Sequence, residues 1–166
     1  MASTGTKKIT AVYTDLKKQA ADIQKKLKVI SKIAFKEMSA EVFKANPTLV
    51  SFGWSQCTPY FNDGDACVFS AASEYPSVTF KAADGTIVKH DENYGNLVVL
   101  DENDDETEIS DEDYPKYQKQ IDKLTRPVVK FLGNFDDDDF LAMFDDHKEI
   151  TVNRNGKIEV NDYEHD

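Results

Sequence analysis

Hydrophobic positions fall in two regimes along the chain. From Lys7 to Asn46 there is no Gly and no Pro, and Ile9, Tyr13, Leu16, Ala20, Ile23, Leu27, Ile30 and Ala34 follow one another at spacings of 4,3,4,3,4,3,4. Such a run is the a/d seam of a helix that packs lengthwise on another helix. It fails at Glu37, where Phe35, Met38, Val42 and Phe43 make a wider apolar face suited to docking on a globular body. Pro47 then stops the helix. Two partners fit the seam: other helices of the same chain, or the same helix of a second copy.

Beyond Pro47 the period becomes strand-like. Thr48–Cys57 and Ala66–Ala72 are rich in Val, Phe, Trp and Thr, with Asn62-Asp63-Gly64-Asp65 between them, which predicts a hairpin. Alternation puts Phe52 and Trp54 on one face and Ser51, Gly53 and Ser55 on the other. A second hairpin is predicted for Ser77–Ala82 and Thr86–Lys89 around Asp84-Gly85, then a strand at Asn96–Leu100. Asp101 to Asp113 holds nine acids and no base and reads as a solvated loop. Tyr114–Leu132 is helical, with Ile121, Leu124, Val128 and Leu132 on one face and Pro127 expected to kink or divide it. Asp136, Asp137, Asp138 and Asp139 precede Phe140–Phe144 as an acidic helix start. Glu149–Val152 and Lys157–Val160 flank Arg154-Asn155-Gly156 as a closing hairpin. The expected class is α+β: a long N-terminal heptad-bearing helix, an antiparallel β-meander, two C-terminal helices and a closing β-hairpin.

Charge sharpens the division. Residues 1–46 carry ten Lys and four acids, leaving +6; the other 120 residues carry ten bases and 27 acids, leaving −17. The chain therefore reads as a lysine-rich association arm, 1–46, on an acidic α+β body, 47–166. At 166 residues and 40% hydrophobic it can bury a sizeable core. No apolar run is long enough to span a bilayer, and Met1-Ala2-Ser3-Thr4-Gly5-Thr6 lacks an apolar signal core, so a cytoplasmic location without membrane contact is expected. Two cysteines make no disulfide scaffold.

Candidate chemistry points to binding rather than catalysis. His90, His147 and His165 lie in or beside acidic loops and turns, and no nucleophile motif, glycine-rich phosphate loop or Cys-x-x-Cys accompanies them. No catalytic residue and no cofactor is therefore expected. With Asp63-Gly64 at the turn, Cys67 falls opposite Tyr60 rather than Cys57, and both thiols are expected to be half-buried strand residues. Asp101, Asn103, Asp105 and Glu112 occupy positions 1, 3, 5 and 12 of a calcium hand. Glu106 replaces the obligatory glycine and Glu108 the apolar anchor, so weak cation pick-up is the most such a loop would give, and no metal ligand is assigned. The −17 body repels phosphate, which argues against direct nucleic-acid contact. The same acids could face a basic surface on a protein partner. Asp104, Asp105 and Glu106, the Asp136–Asp139 run, and Trp54 as an aromatic anchor are the candidate partner-binding residues.

The segment Trp54 to Asp65 reads W-x-Q-x-T-P-Y-F-N-D-G-D. This string resembles a segment of small acidic proteins of T-even-like tailed phages. With the chain's size, acidity and seam-bearing helix, the resemblance is greatest to phage inhibitors of the host Lon protease. It implies a dimeric, non-enzymatic protein that binds an ATP-dependent protease in the host cytoplasm and blocks protein degradation. The alternatives from the residues alone are an acidic nucleic-acid mimic that blocks a host DNA-binding enzyme, and a weak divalent-cation-binding protein.

Overall fold

The computed structural model describes residues 4–60, 64, 66–91 and 95–164, with side chains from Lys8 onward. It opens with α1, Thr4–Ala45, a single helix of 42 residues. At 1.5 Å per residue that is about 63 Å. Asn46 ends it, its amide and side chain both bonding the carbonyl of Val42. The strands follow: β1 (Leu49–Cys57), β2 (Ser70–Ala71), β3 (Ser77–Lys81), β4 (Ile87–Asp91), β5 (Asn96–Leu100) and β6 (Glu106–Glu108). Next come α2 (Tyr114–Leu132), α3 (Asp137–Phe144), β7 (Lys148–Asn153) and β8 (Ile158–Asp162). The class is α+β.

All described strands join one antiparallel sheet in the order β6-β5-β4-β3-β1-β7-β8, with β2 pairing the end of β1. The meander runs outward from β1 to β6. The chain then crosses the sheet as α2 and α3, and the closing hairpin adds on the other side of β1, Trp54 opposite Ile150. β1 is thus an interior strand, and Gly53 suits its place there. A Cβ on Gly53 would stand 2.4 Å from the Ile150 carbonyl oxygen.

Alternation along β1 divides its side chains as expected. Phe52, Trp54 and Gln56 face the helices, with Ser51, Gly53 and Ser55 opposite. A register shift between Leu49 and Ser51 lets Leu49 share the helix-facing side although the spacing is odd. The core lies between that face and the three helices. It joins Phe35 and Phe43 of α1, Ile121, Leu124, Val128 and Leu132 of α2, Phe140 and Met143 of α3, and Leu49, Phe52, Val78, Phe80, Val88 and Ile150 of the sheet.

Three local expectations need correction. β2 is two residues long, and the described residues 58–60 and 66–69 belong to no strand; the tip residues Phe61, Asn62, Asp63 and Asp65 lie outside the described residues. Pro127 sits inside α2 without dividing it. One lost ladder bond is outweighed by the buried neighbours Leu124, Val128 and Phe131. The acidic segment after β5 is a hairpin, because Glu106–Glu108 pair with Val98–Leu100. The last part of α1 docks on the body through Phe35 and Phe43, as the wider apolar face there leads one to expect, with contact beginning at Lys28.

Candidate protein-binding surfaces

The first surface is the exposed face of α1. Contact with the body falls on Lys28, Ser31, Phe35, Ser39, Val42 and Asn46, a stripe of 3- and 4-residue steps that Phe43 widens at its end. The heptad seam runs through Leu27, Ile30 and Ala34, one residue earlier, and so lies about 100° around the helix from the docked stripe. The seam is consequently uncovered. Leu16 and Ile23 are each 57% exposed and Ile30 is 62%. Ile9, Tyr13 and Leu27 are exposed alike, as are Val12 and Ile33 on the flank. Ala20 is exposed as well, and Ala34 is partly buried at the edge of the docked stripe. The body's own helices do not cover the seam, which removes the intrachain alternative. Residues 4–27 extend about 36 Å beyond the docked part.

The second surface is acidic and in two pieces. In the β5–β6 turn, Asp101 Oδ1 accepts the amides of Asn103 (2.7 Å) and Asp105 (3.0 Å). Asp104 adopts φ 62°. Those bonds shape a turn rather than a cation cage, and among the described residues no group of three or more His, Cys, Asp or Glu is arranged to hold a metal. Asp104 and Asp105 stay exposed, while Glu106 begins β6 and accepts from Lys89 Nζ at 2.7 Å. The run at α3 is mostly structural. Asp136 caps the helix, accepting from the Asp139 amide at 2.9 Å, and Asp139 returns a bond to the Asp136 amide. Asp137 accepts the Ala71 amide at 3.0 Å, and Ser31 of α1 donates to Asp139 at 3.4 Å. Asp138 is exposed at the groove between α1 and α3. Four strand spacings, roughly 19 Å, separate the β6 edge from β1, beside which α3 lies. The two acidic groups therefore form separate patches.

Trp54 belongs to neither surface. It is 3% exposed, packed on Phe35, Phe140 and Phe144 with ring centroids 5.3–5.8 Å away, so its assignment as an anchor is corrected to core. The polar tip of the indole explains the glutamine two residues on. Gln56, 1% exposed, accepts from Trp54 Nε1 at 3.1 Å. Its amide nitrogen donates to the carbonyls of Phe140 (3.3 Å) and Asp145 (2.5 Å). Next, the Thr58 amide donates to Asp146 at 2.8 Å. The W-x-Q-x-T string is thus a device that ties β1 to the end of α3. Sequence reading missed this role, although Trp and Gln on one face of a core strand is a signal for it, since a buried indole N–H needs an acceptor.

The cysteines and histidines singled out from the sequence have other places in the fold. Burial and the nearby Asp146 push the Cys57 thiol up, so it stays protonated, while Cys67 is exposed and outside any strand, contrary to expectation. His90 is buried in β4, its Nε2 3.1 Å from Tyr114 Oη, and His147 stacks on Tyr60. His165 lies outside the described residues. No described helix is long and apolar enough to cross a membrane. No family model, curated protein or solved structure matches the chain.

Proposed function

We propose that the protein is a non-enzymatic inhibitor that self-associates through α1 and binds a host protein with a basic surface through its acidic body. The observation that carries this reading is the long arm with an apolar seam left bare. A helix exposed over some two dozen residues draws little stability from propensity alone and is secured by packing its apolar face. A chain that displays such a face has a protein partner for it. The β5–β6 turn adds an exposed cluster of like charge, which a basic partner converts from self-repulsion to attraction. Resemblance of the Trp54–Asp65 segment to the phage inhibitors makes an ATP-dependent protease of the Lon type the target proposed, in the host cytoplasm.

The direct test adds purified protein to a Lon-type protease that is degrading a fluorescent protein substrate in the presence of ATP. Degradation should slow in proportion to inhibitor, with weaker inhibition as salt rises. Undiminished degradation at saturating inhibitor would remove the protease as target. Recovery of a DNA-binding enzyme from lysate instead would favour the nucleic-acid mimic.

A further inference from the structure

We infer that two copies pair antiparallel through the α1 seam, so that each lysine-rich arm lies along the partner's body. The inference rests on the self-association proposed above and adds its geometry. In heptad terms Tyr13, Ala20, Leu27 and Ala34 are a positions, and Ile9, Leu16, Ile23 and Ile30 are d positions. In a parallel pair each residue meets its own twin. Two of the layers would then be Ala20 on the partner's Ala20 and Ala34 on the partner's Ala34, both underfilled, with Tyr13 crowding the partner's Tyr13.

An antiparallel pair sets each a position against a d position. One register uses all eight seam residues: Ala34 with the partner's Ile9, Ile30 with the partner's Tyr13, Leu27 with the partner's Leu16, and Ile23 with the partner's Ala20. Each alanine then meets an isoleucine, and layer volumes even out. The same register places Ile33 beside the partner's Val12, covering two exposed apolar residues on the seam's flank. No lysine faces a lysine across the seam: Gln24 meets the partner's Lys17, and Lys26 the partner's Gln19.

Charge selects the same arrangement. A parallel pair would hold two −17 bodies side by side. The antiparallel register separates the two Phe35 docking points by about 40 Å along the helices, several Debye lengths at physiological salt. It also brings to each body the partner's arm, residues 1–27, with six Lys against two Asp, a net +4. Gln24 and Ser31, on one flank of the seam, line the groove that holds Asp138, Asp139 and Leu141 of α3. The partner's Lys17 and the partner's Thr10 enter on that flank.

The test uses the full chain with Cys57 and Cys67 changed to Ser and a single spin label at Lys8→Cys, which lies outside the seam. Light scattering should give a dimer, and the label-to-label distance should be about 40 Å, against within about 20 Å for a parallel pair. As a second readout, a mixture of Tyr13→Cys and Ile30→Cys chains should form a cross-linked heterodimer on oxidation, while neither variant alone cross-links. A dimer with a short Lys8 distance, or with Ile30→Cys linking to itself, overturns the antiparallel geometry and leaves self-association standing. A monomer at high micromolar concentration overturns both.

Discussion

α1 is one unbroken helix that lives in two environments. Its first part, to Leu27, and its last part, from Lys28, share a strand of backbone and the same freedom from Gly and Pro, yet only the last part meets the body. There Phe35 is fully buried, touching Trp54, Phe131, Phe135 and Phe144 with ring centroids 5.0–5.8 Å away. In the arm Ile23 faces solvent from the seam. Amphipathicity alone does not separate the two halves. The decisive difference is which azimuth carries the large residues: one face aims at the sheet, the other about 100° away aims at nothing in the chain.

Breaking that contrast should give the largest effects. Phe35→Ala opens a cavity among four aromatic side chains and should cost about 3–5 kcal/mol in urea unfolding followed by the fluorescence of Trp54. Ile23→Asp should leave the unfolding of the monomeric body unchanged and abolish the dimer in light scattering, because it places an unpaired charge in the seam. If Ile23→Asp destabilised the isolated body as much as Phe35→Ala, the arm would not be free.

A smaller loss should follow at the polar tie between β1 and α3. Gln56→Ala removes the acceptor of the Trp54 indole and the donor to Asp145, leaving buried groups unpaired. About 2–3 kcal/mol is expected in the same urea assay. Gln56→Glu should be no better than Ala, since it loses both donated bonds and buries a charge. A neutral effect of either would mean water reaches the site.

How much was readable in advance follows the same division. The strands, helices and turns around Gly85 and Gly156 were legible because period, turn chemistry and caps are local properties; both glycines adopt positive φ, 92° and 83°. What the sequence could not disclose was long-range. The insertion of β7 beside β1 joins residues about a hundred positions apart, and no local pattern announces it. The acidic segment misled because nine carboxylates hide a short strand at the sheet edge, where Glu106 is tolerated by pairing with Lys89. The Asp136–Asp139 run looked like surface charge and like a helix start at once. The capping by Asp136 and Asp139 is local to the run, whereas the bonds of Asp137 to Ala71 and of Asp139 to Ser31 depend on neighbours far along the chain. Trp54 was legible as core from alternation, and its reading as an anchor fails for the same reason.

Acid should loosen the body more than the arm. Hydrogen bonds from Thr86 and then Lys116 hold the Asp84 carboxyl well below the usual range and link the β3–β4 turn to α2. Lys148 likewise lowers Asp162 on the closing hairpin. Depressed carboxyls favour the folded state above their unfolded value, 3.8, and that contribution is lost as pH falls through the lower folded values. The melting temperature of the body should therefore fall as pH drops below about 4, and Asp84→Asn should shrink that fall. An Asp84→Asn variant with an unaltered pH profile would show that these surface bonds carry no stability.

The smallest effect on the fold, and the sharpest test of the acidic surface, comes from changing Asp104, Asp105 and Glu106 together to Asn, Asn and Gln. Asp101, whose carboxylate shapes the turn, is kept. Asparagine is at least as tolerant as aspartate of the left-handed φ that residue 104 adopts, so the turn survives. The lost Lys89–Glu106 pair is solvent-accessible at both ends and is worth at most a few tenths of a kcal/mol, about what relief of repulsion within the turn returns. Stability should therefore hold or rise slightly. Association with a basic partner should slow, and its dependence on salt should become shallower, because the field that speeds encounter has been reduced. Rates measured for both proteins at several ionic strengths decide the matter. Identical rates at every salt concentration would strip the β5–β6 turn of its role. The α3 patch could not replace it, since there only Asp138 is neither capping the helix nor bonded to another element.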